Sequence, residues 1–146
     1  MDRTDVRRMF DEGYDCSQVV LSAMSERLGI SRDTALGIAS GLGIGLCRGS
    51  VCGAALGGIA ALGVRYGNVS PGDMVSKSVI FEKREEFLTR FKEINSSISC
   101  KELIGVEVSD LEDMISHSPK GVYGNCPGYC VNAITILEDM IPPKEE

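Results

Sequence analysis

Ser50-Val51-Cys52-Gly53-Ala54-Ala55-Leu56-Gly57-Gly58-Ile59-Ala60-Ala61-Leu62-Gly63-Val64-Arg65-Tyr66 decides how the rest of the chain is read. Its 3.6-residue spacing of apolar positions predicts a helix, with Ser50 as its cap and Gly67-Asn68 as its stop. The helix is built from unusually small side chains. Gly53, Gly57 and Ala61 fall on one strip, and upstream Gly41, Gly45 and Gly49 continue the four-residue spacing. Each interior glycine costs about 0.8–1 kcal/mol of helix propensity relative to alanine. Such a strip lets a second helix, a reactive sulfur or a bulky prosthetic group approach the backbone closely.

Outward from this segment the chain reads as helical throughout. Val6, Met9 and Phe10 share a face of a short first helix that Gly13 ends. Asp15 caps a second over Cys16–Leu28, and Ser31 caps a third with Asp33 in its first turn. Gly41–Gly49 is too glycine-rich for a helix interior. A long amphipathic helix is expected over Asp73–Asn95, with Val79, Ile80, Phe87, Phe91 and Ile94 inward and the charged run Glu82–Glu86 solvated. Short helices follow at Cys100–Ile104, capped by Ser99, and at Asp110–Ile115. A loop is marked by Pro119 and Gly121. The last helix begins at Pro127 or Gly128 and runs to Met140, and Pro142-Pro143 ends it. The expectation is one all-α domain over residues 1–146, a compact multi-helix arrangement around the Gly/Ala-rich helix.

Composition removes several function classes. The chain has 146 residues, a net charge of −6 and no Trp, and its pI of about 4.9 argues against a nucleic-acid partner. The longest charge-free stretches, Thr34–Cys47 and Gly49–Val64, fall short of the ~20 residues a membrane span needs. The first residues carry no apolar run behind a basic flank, so a cytoplasmic location is expected. No Cys-x-x-Cys occurs, which excludes a zinc ribbon or thioredoxin-type motif, and no Cys-x-x-Cys-His marks haem attachment. No phosphate loop with Lys-Ser/Thr indicates a nucleotide. His117 is the single histidine, and it is expected at the surface.

Six cysteines remain to be explained. A reducing compartment disfavours a disulfide framework, leaving ligation, thiol redox chemistry or inert buried thiols. Cys16, Cys52, Cys100 and Cys126 each stand at a predicted helix start, where the helix dipole favours thiolate over thiol. Arg48, four residues before Cys52, adds to that effect if it turns inward. Cys47 precedes Arg48, giving Cys47-x4-Cys52, and Cys130 lies one turn beyond Cys126.

The ordered pieces Asp15-Cys16-Ser17-Gln18-Val19-Val20-Leu21, Gly49-Ser50-Val51-Cys52-Gly53-Ala54-Ala55-Leu56-Gly57, Ser99-Cys100-Lys101-Glu102-Leu103-Ile104-Gly105 and Cys126-x-x-Tyr129, the last followed by Ala133 and Ile136-Leu137-Glu138, together resemble the C-GCAxxG-C-C family of redox-active proteins. The middle piece matches as Cys-Gly-Ala-x-x-Gly, because Val51 stands where a literal Gly-Cys-Ala would need glycine. The resemblance implies a redox role carried by Cys16, Cys52, Cys100 and Cys126, with Cys47 and Cys130 additional. A related domain is similar to the iron–sulfur part of split-Soret cytochromes c, which implies a cluster without haem.

Three functions follow as expectations. In the first, the cysteines hold an iron–sulfur cluster that exchanges electrons with an unidentified redox partner, with Cys47 and Cys130 as further possible ligands, and Gly53, Gly57 and Arg48 bordering the cluster. The second is a thiol–disulfide oxidoreductase in which Cys52 attacks and another cysteine, Cys126 among the candidates, resolves. The third is a helical partner-binding domain with inert cysteines. The small-residue strip also makes a homodimer a possible assembly.

Overall fold

The computed structural model describes residues 1–118 and 121–144, so the loop residue Pro119 lies outside the described residues. The described residues form nine α-helices: α1 (Arg3–Asp11), α2 (Cys16–Ala23), α3 (Ser25–Leu28), α4 (Arg32–Ala39), α5 (Gly53–Tyr66), α6 (Met74–Asn95), α7 (Cys100–Ile104), α8 (Leu111–His117) and α9 (Cys126–Met140). The only pairing of extended backbone among them is an isolated antiparallel bridge between Val51 and Ser99. The all-α expectation holds.

Helix α2 is the axis of the fold. Val19, Val20 and Leu21 are adjacent in sequence and all fully buried, so this helix has no solvent face and is enclosed by its neighbours. It packs on α5, α4, α9 and α1. Phe87 and Phe91 of α6 close the far side of α5, both fully buried with ring centroids 6.1 Å apart. Gly58 makes that approach possible, because a Cβ there would run into the Phe87 ring.

The glycine strip faces α2. A Cβ on Gly57 would stand 2.6 Å from the Ser17 carbonyl oxygen and 3.1 Å from its Cα, both backbone atoms that cannot swing aside. Gly53 faces the Cys16 sulfur and the Gly43 Cα. The same strip therefore serves helix packing at Gly57 and sulfur placement at Gly53.

Several boundaries differ from the sequence reading, each for a local reason. The predicted helix over 16–28 breaks at Met24, where the Ser22 hydroxyl donates to the Val19 carbonyl and the Ser25 hydroxyl to the Ser22 carbonyl. Such hydroxyl-to-carbonyl bonds compete with the helix ladder and bend it. Ser50 does not cap α5. It lies in the short bridge, with its carbonyl accepting from the Cys100 N–H at 2.6 Å, and the cap position falls to Cys52. Ile94 of α6 is 55% exposed; the turn that begins at Phe87 and Phe91 buries Asn95 instead. His117, expected at the surface, ends α8 half-buried; its Nε2 lies 3.1 Å from the Glu107 carbonyl.

Ile44, Gly45, Leu46 and Cys47 form a left-handed turn with φ of 53°, 57°, 62° and 58°. Outside glycine this backbone costs about 1–2 kcal/mol per residue, and for β-branched Ile44 it is an outlier. Strain of this kind persists where surrounding contacts over-determine it.

Three substitutions separate these effects. Gly57→Ala is expected to destabilise by about 1–3 kcal/mol despite its gain in helix propensity, because α2 must move. Gly63→Ala, with open space around it, should stabilise by up to about 1 kcal/mol. Leu46→Gly should raise stability by about 1 kcal/mol, since the 45%-exposed side chain contributes little packing. Urea unfolding of the three variants measures all of these, and a Gly57→Ala protein as stable as Gly63→Ala contradicts the packing account.

Candidate functional site

The four cysteines of the ordered pattern all stand at helix entrances. Cys16 is the first residue of α2, Cys100 of α7 and Cys126 of α9, while Cys52 caps α5. Local sequence fixes each entrance. The Gln18 side chain reaches back and accepts from the Asp15 N–H at 3.0 Å, while its amide donates to the Leu36 carbonyl at 3.2 Å, so one residue ties the start of α2 to α4. Ser17 is fully buried, with its hydroxyl donating to the Ala39 carbonyl at 2.9 Å. The bridge joins the entrances of α5 and α7: Cys52 N–H donates to the Ile98 carbonyl at 2.7 Å, and Cys100 N–H to Ser50. Pro127, in the first turn of α9, sits where an N–H has no helical partner.

These entrances bring the four sulfurs together. Every pairing among Cys16, Cys52, Cys100 and Cys126 is close enough for one group's charge to oppose the other's ionisation. All six cysteines are free thiols. Burial pushes the Cys16 thiol up to about 12, and the neighbouring Cys52 adds to it. Cys52 is raised to about 11 by burial, against the pull of the Ala54 and Ala55 N–H groups on its sulfur. Burial and then Cys16 raise Cys100 to about 12. Cys126, though half-buried as a residue, is raised by burial and then by the three other thiols.

The sequence expectation of thiolates stabilised by helix starts is thereby corrected for the metal-free chain. The N–H dipoles do lower the Cys16 and Cys52 values, through Ile44 and Ser17 in one case and Ala54 and Ala55 in the other. Desolvation of four neighbouring sulfurs outweighs them. Arg48 is exposed and does not enter the balance at Cys52.

The two additional cysteines have separate surroundings. Cys130 is fully buried beneath the cluster of thiols, with its sulfur 3.7 Å from the Cys16 carbonyl. Cys47 is half-buried in the left-handed turn, 3.9 Å from the Met114 sulfur. Among the described residues, no group of three or more His, Cys, Asp or Glu side chains closes on a single metal-ion position.

Sequence reasoning missed several residues here. Gly43 has no room for a side chain, because a Cβ would meet the Asp15 carboxylate 2.6 Å away. The Tyr129 hydroxyl donates to the Leu103 carbonyl at 3.2 Å and ties α9 to α7. The Tyr123 hydroxyl donates to the Met114 carbonyl at 2.9 Å and holds α8. Tyr129 already belongs to the Cys126-x-x-Tyr129 piece, and only its tie to Leu103 is new; Gly43 and Tyr123 carry no local signal.

The fold and the four gathered cysteines define a cysteine-centred all-α protein. The model of the family described as "Putative redox-active protein (C_GCAxxG_C_C)" matches residues 14–140. The chain belongs to this family. No curated protein and no solved structure matches it. Among the described residues, no helix is long and apolar enough to cross a membrane.

The thiol values set a pH dependence for the reduced, metal-free chain. An unfolded chain releases cysteine protons near the ordinary 9.0, whereas the folded chain holds those of Cys16, Cys52 and Cys100 up to about 11–12. The unfolded state therefore binds fewer protons in this window, and stability falls as pH rises through it, by about 1.4 kcal/mol per pH unit for each thiol. Urea unfolding between about pH 8 and about pH 10.5 should show the fall, with a shallower slope in Cys16→Ala. Equal slopes in the two proteins contradict the burial account.

Proposed function

We propose that the chain holds an iron–sulfur cluster through Cys16, Cys52, Cys100 and Cys126 and serves electron transfer. The observation that carries this reading is the gathering of four cysteine sulfurs from four separate helix entrances into electrostatic range of one another. Packing alone has no use for such a set. It raises the cost of ionising each thiol, and a ligand that binds thiolates removes that cost by neutralising their charge.

The donor set fits such a group. Cysteine thiolates are the standard ligands of iron–sulfur clusters, and N–H groups directed at sulfur are among the levers that set cluster potential. When bound, the cluster supplies a one-electron store. The chain's own residues do the rest. Ala54 and Ala55 stabilise negative charge on Cys52, and Ile44 and Ser17 do so on Cys16. Gly53 leaves the Cys16 sulfur its space. Cys130 and the α2 core exclude water from beneath. Loading requires the thiols to turn toward the incoming group, because among the described residues they do not close on a single ion.

A thiol–disulfide exchange role has less support. The attacking sulfur must be a thiolate near ambient pH, and burial keeps Cys52 protonated up to about 11.

Anaerobic reconstitution with iron and sulfide tests the reading. The chain should take up both, with visible charge-transfer absorption, and Cys52→Ser should lose most of the iron. Cys47→Ser should retain it. A folded chain that binds neither iron nor sulfide overturns the proposal.

A further inference from the structure

Beside Cys16 lies a cavity of about 440 Å³, bounded by the end of α1, the 13–16 segment, α8 and the start of α9. Its size is that of a small-molecule cleft. Cys16 stands on its wall, together with the strained Ile44. Phe10, Tyr14 and Tyr123 contribute aromatic rings, and Met114 a thioether, a group that packs well on ring edges. The charged groups are Arg7, Asp11 and Asp15.

We propose that this cavity binds a neutral, planar aromatic carbonyl compound of the quinone class. The ring surfaces and Met114 suit a flat apolar body. Two carboxylates beside one guanidinium leave the lining net negative, which disfavours an anionic ligand, and the Arg7 donors call for a ligand that carries an acceptor. Among the described residues Arg7 makes no ion pair, so its N–H groups are available to a carbonyl oxygen. The inference deepens the electron-transfer reading in one respect: Cys16 is both a wall of the cavity and a member of the thiol set, so a quinone there sits beside the proposed electron store. Binding itself does not need the cluster.

The cavity is also built at a cost to the fold. Ile44 reaches its wall only through a left-handed backbone that glycine would adopt without strain. Retaining isoleucine there has a packing rationale if the wall must be apolar.

Equilibrium dialysis of the reduced, metal-free chain with 2,3-dimethyl-1,4-naphthoquinone tests the proposal, the two methyl groups blocking addition of thiols to the ring. One saturable site is expected. Ile115 is 57% exposed and lines this cavity, so Ile115→Glu should keep the fold and weaken binding by about ten-fold or more. Leu111→Glu carries the same new charge on the same helix, at a residue that lines only the neighbouring cavity, and should leave affinity unchanged. A ring-sulfonated analogue with the same two methyl groups should also bind about ten-fold or more weakly. No saturable binding, equal affinity in Ile115→Glu, an equal loss in Leu111→Glu or equal affinity for the sulfonate each overturns the assignment. Iron and sulfide content does not enter this measurement, so its failure leaves the cluster reading standing, and failure of cluster loading leaves this one.

Discussion

Close approach between α2 and α5 is the constraint on which the remaining structure depends. Gly57 lies against the Ser17 backbone and Gly53 against the Cys16 sulfur, with no volume for a methyl group at either position. This contact places the start of α2 beside the start of α5, and so Cys16 beside Cys52. The bridge at Val51 and Ser99 then brings the start of α7, and with it Cys100. Helix α9 packs on both α2 and α5 and brings Cys126. A site made of four helix ends is thus a consequence of how closely two helices meet.

The electrostatics of that arrangement run in two directions. Helix entrances direct N–H groups at sulfur and favour thiolate, yet gathering four sulfurs in a poorly hydrated place favours thiol. In the metal-free chain burial prevails, and Cys16 and Cys52 are raised to about 12 and about 11. The same N–H groups act with, and no longer against, their surroundings once a cationic ligand joins the set. A local dipole argument applied to one cysteine at a time gives the wrong protonation state here, because the dominant cost is burial, which tertiary packing sets, and the neighbouring thiols add to it.

Legibility from sequence followed the range of the interactions. Helix identity came through because it depends on spacing within a segment: Ser31, Asp73, Ser99 and Asp110 cap their helices with side-chain bonds to the backbone. The four cysteines at helix starts were legible for the same reason. Ser50 was misplaced because a pairing with a segment about fifty residues away, not local propensity, claims its backbone. Ile94 and Asn95 exchanged places because a single helical turn cannot reveal which side meets α9, where Asn132 donates to Asn95 at 2.8 Å. The left-handed turn at Ile44–Cys47 carries no warning in residue type beyond its glycines, since isoleucine, leucine and cysteine all disfavour it. The surroundings of the turn are tertiary: its Ile44 backbone N–H favours negative charge on the Cys16 sulfur.

X-ray absorption at the iron edge of the anaerobically loaded chain examines the central claim at the atoms concerned. A cluster held by the four entrance cysteines predicts an inner shell of sulfur alone, thiolate and sulfide together, with iron scatterers just beyond it. An inner shell of oxygen or nitrogen, or iron atoms without iron neighbours, would contradict it.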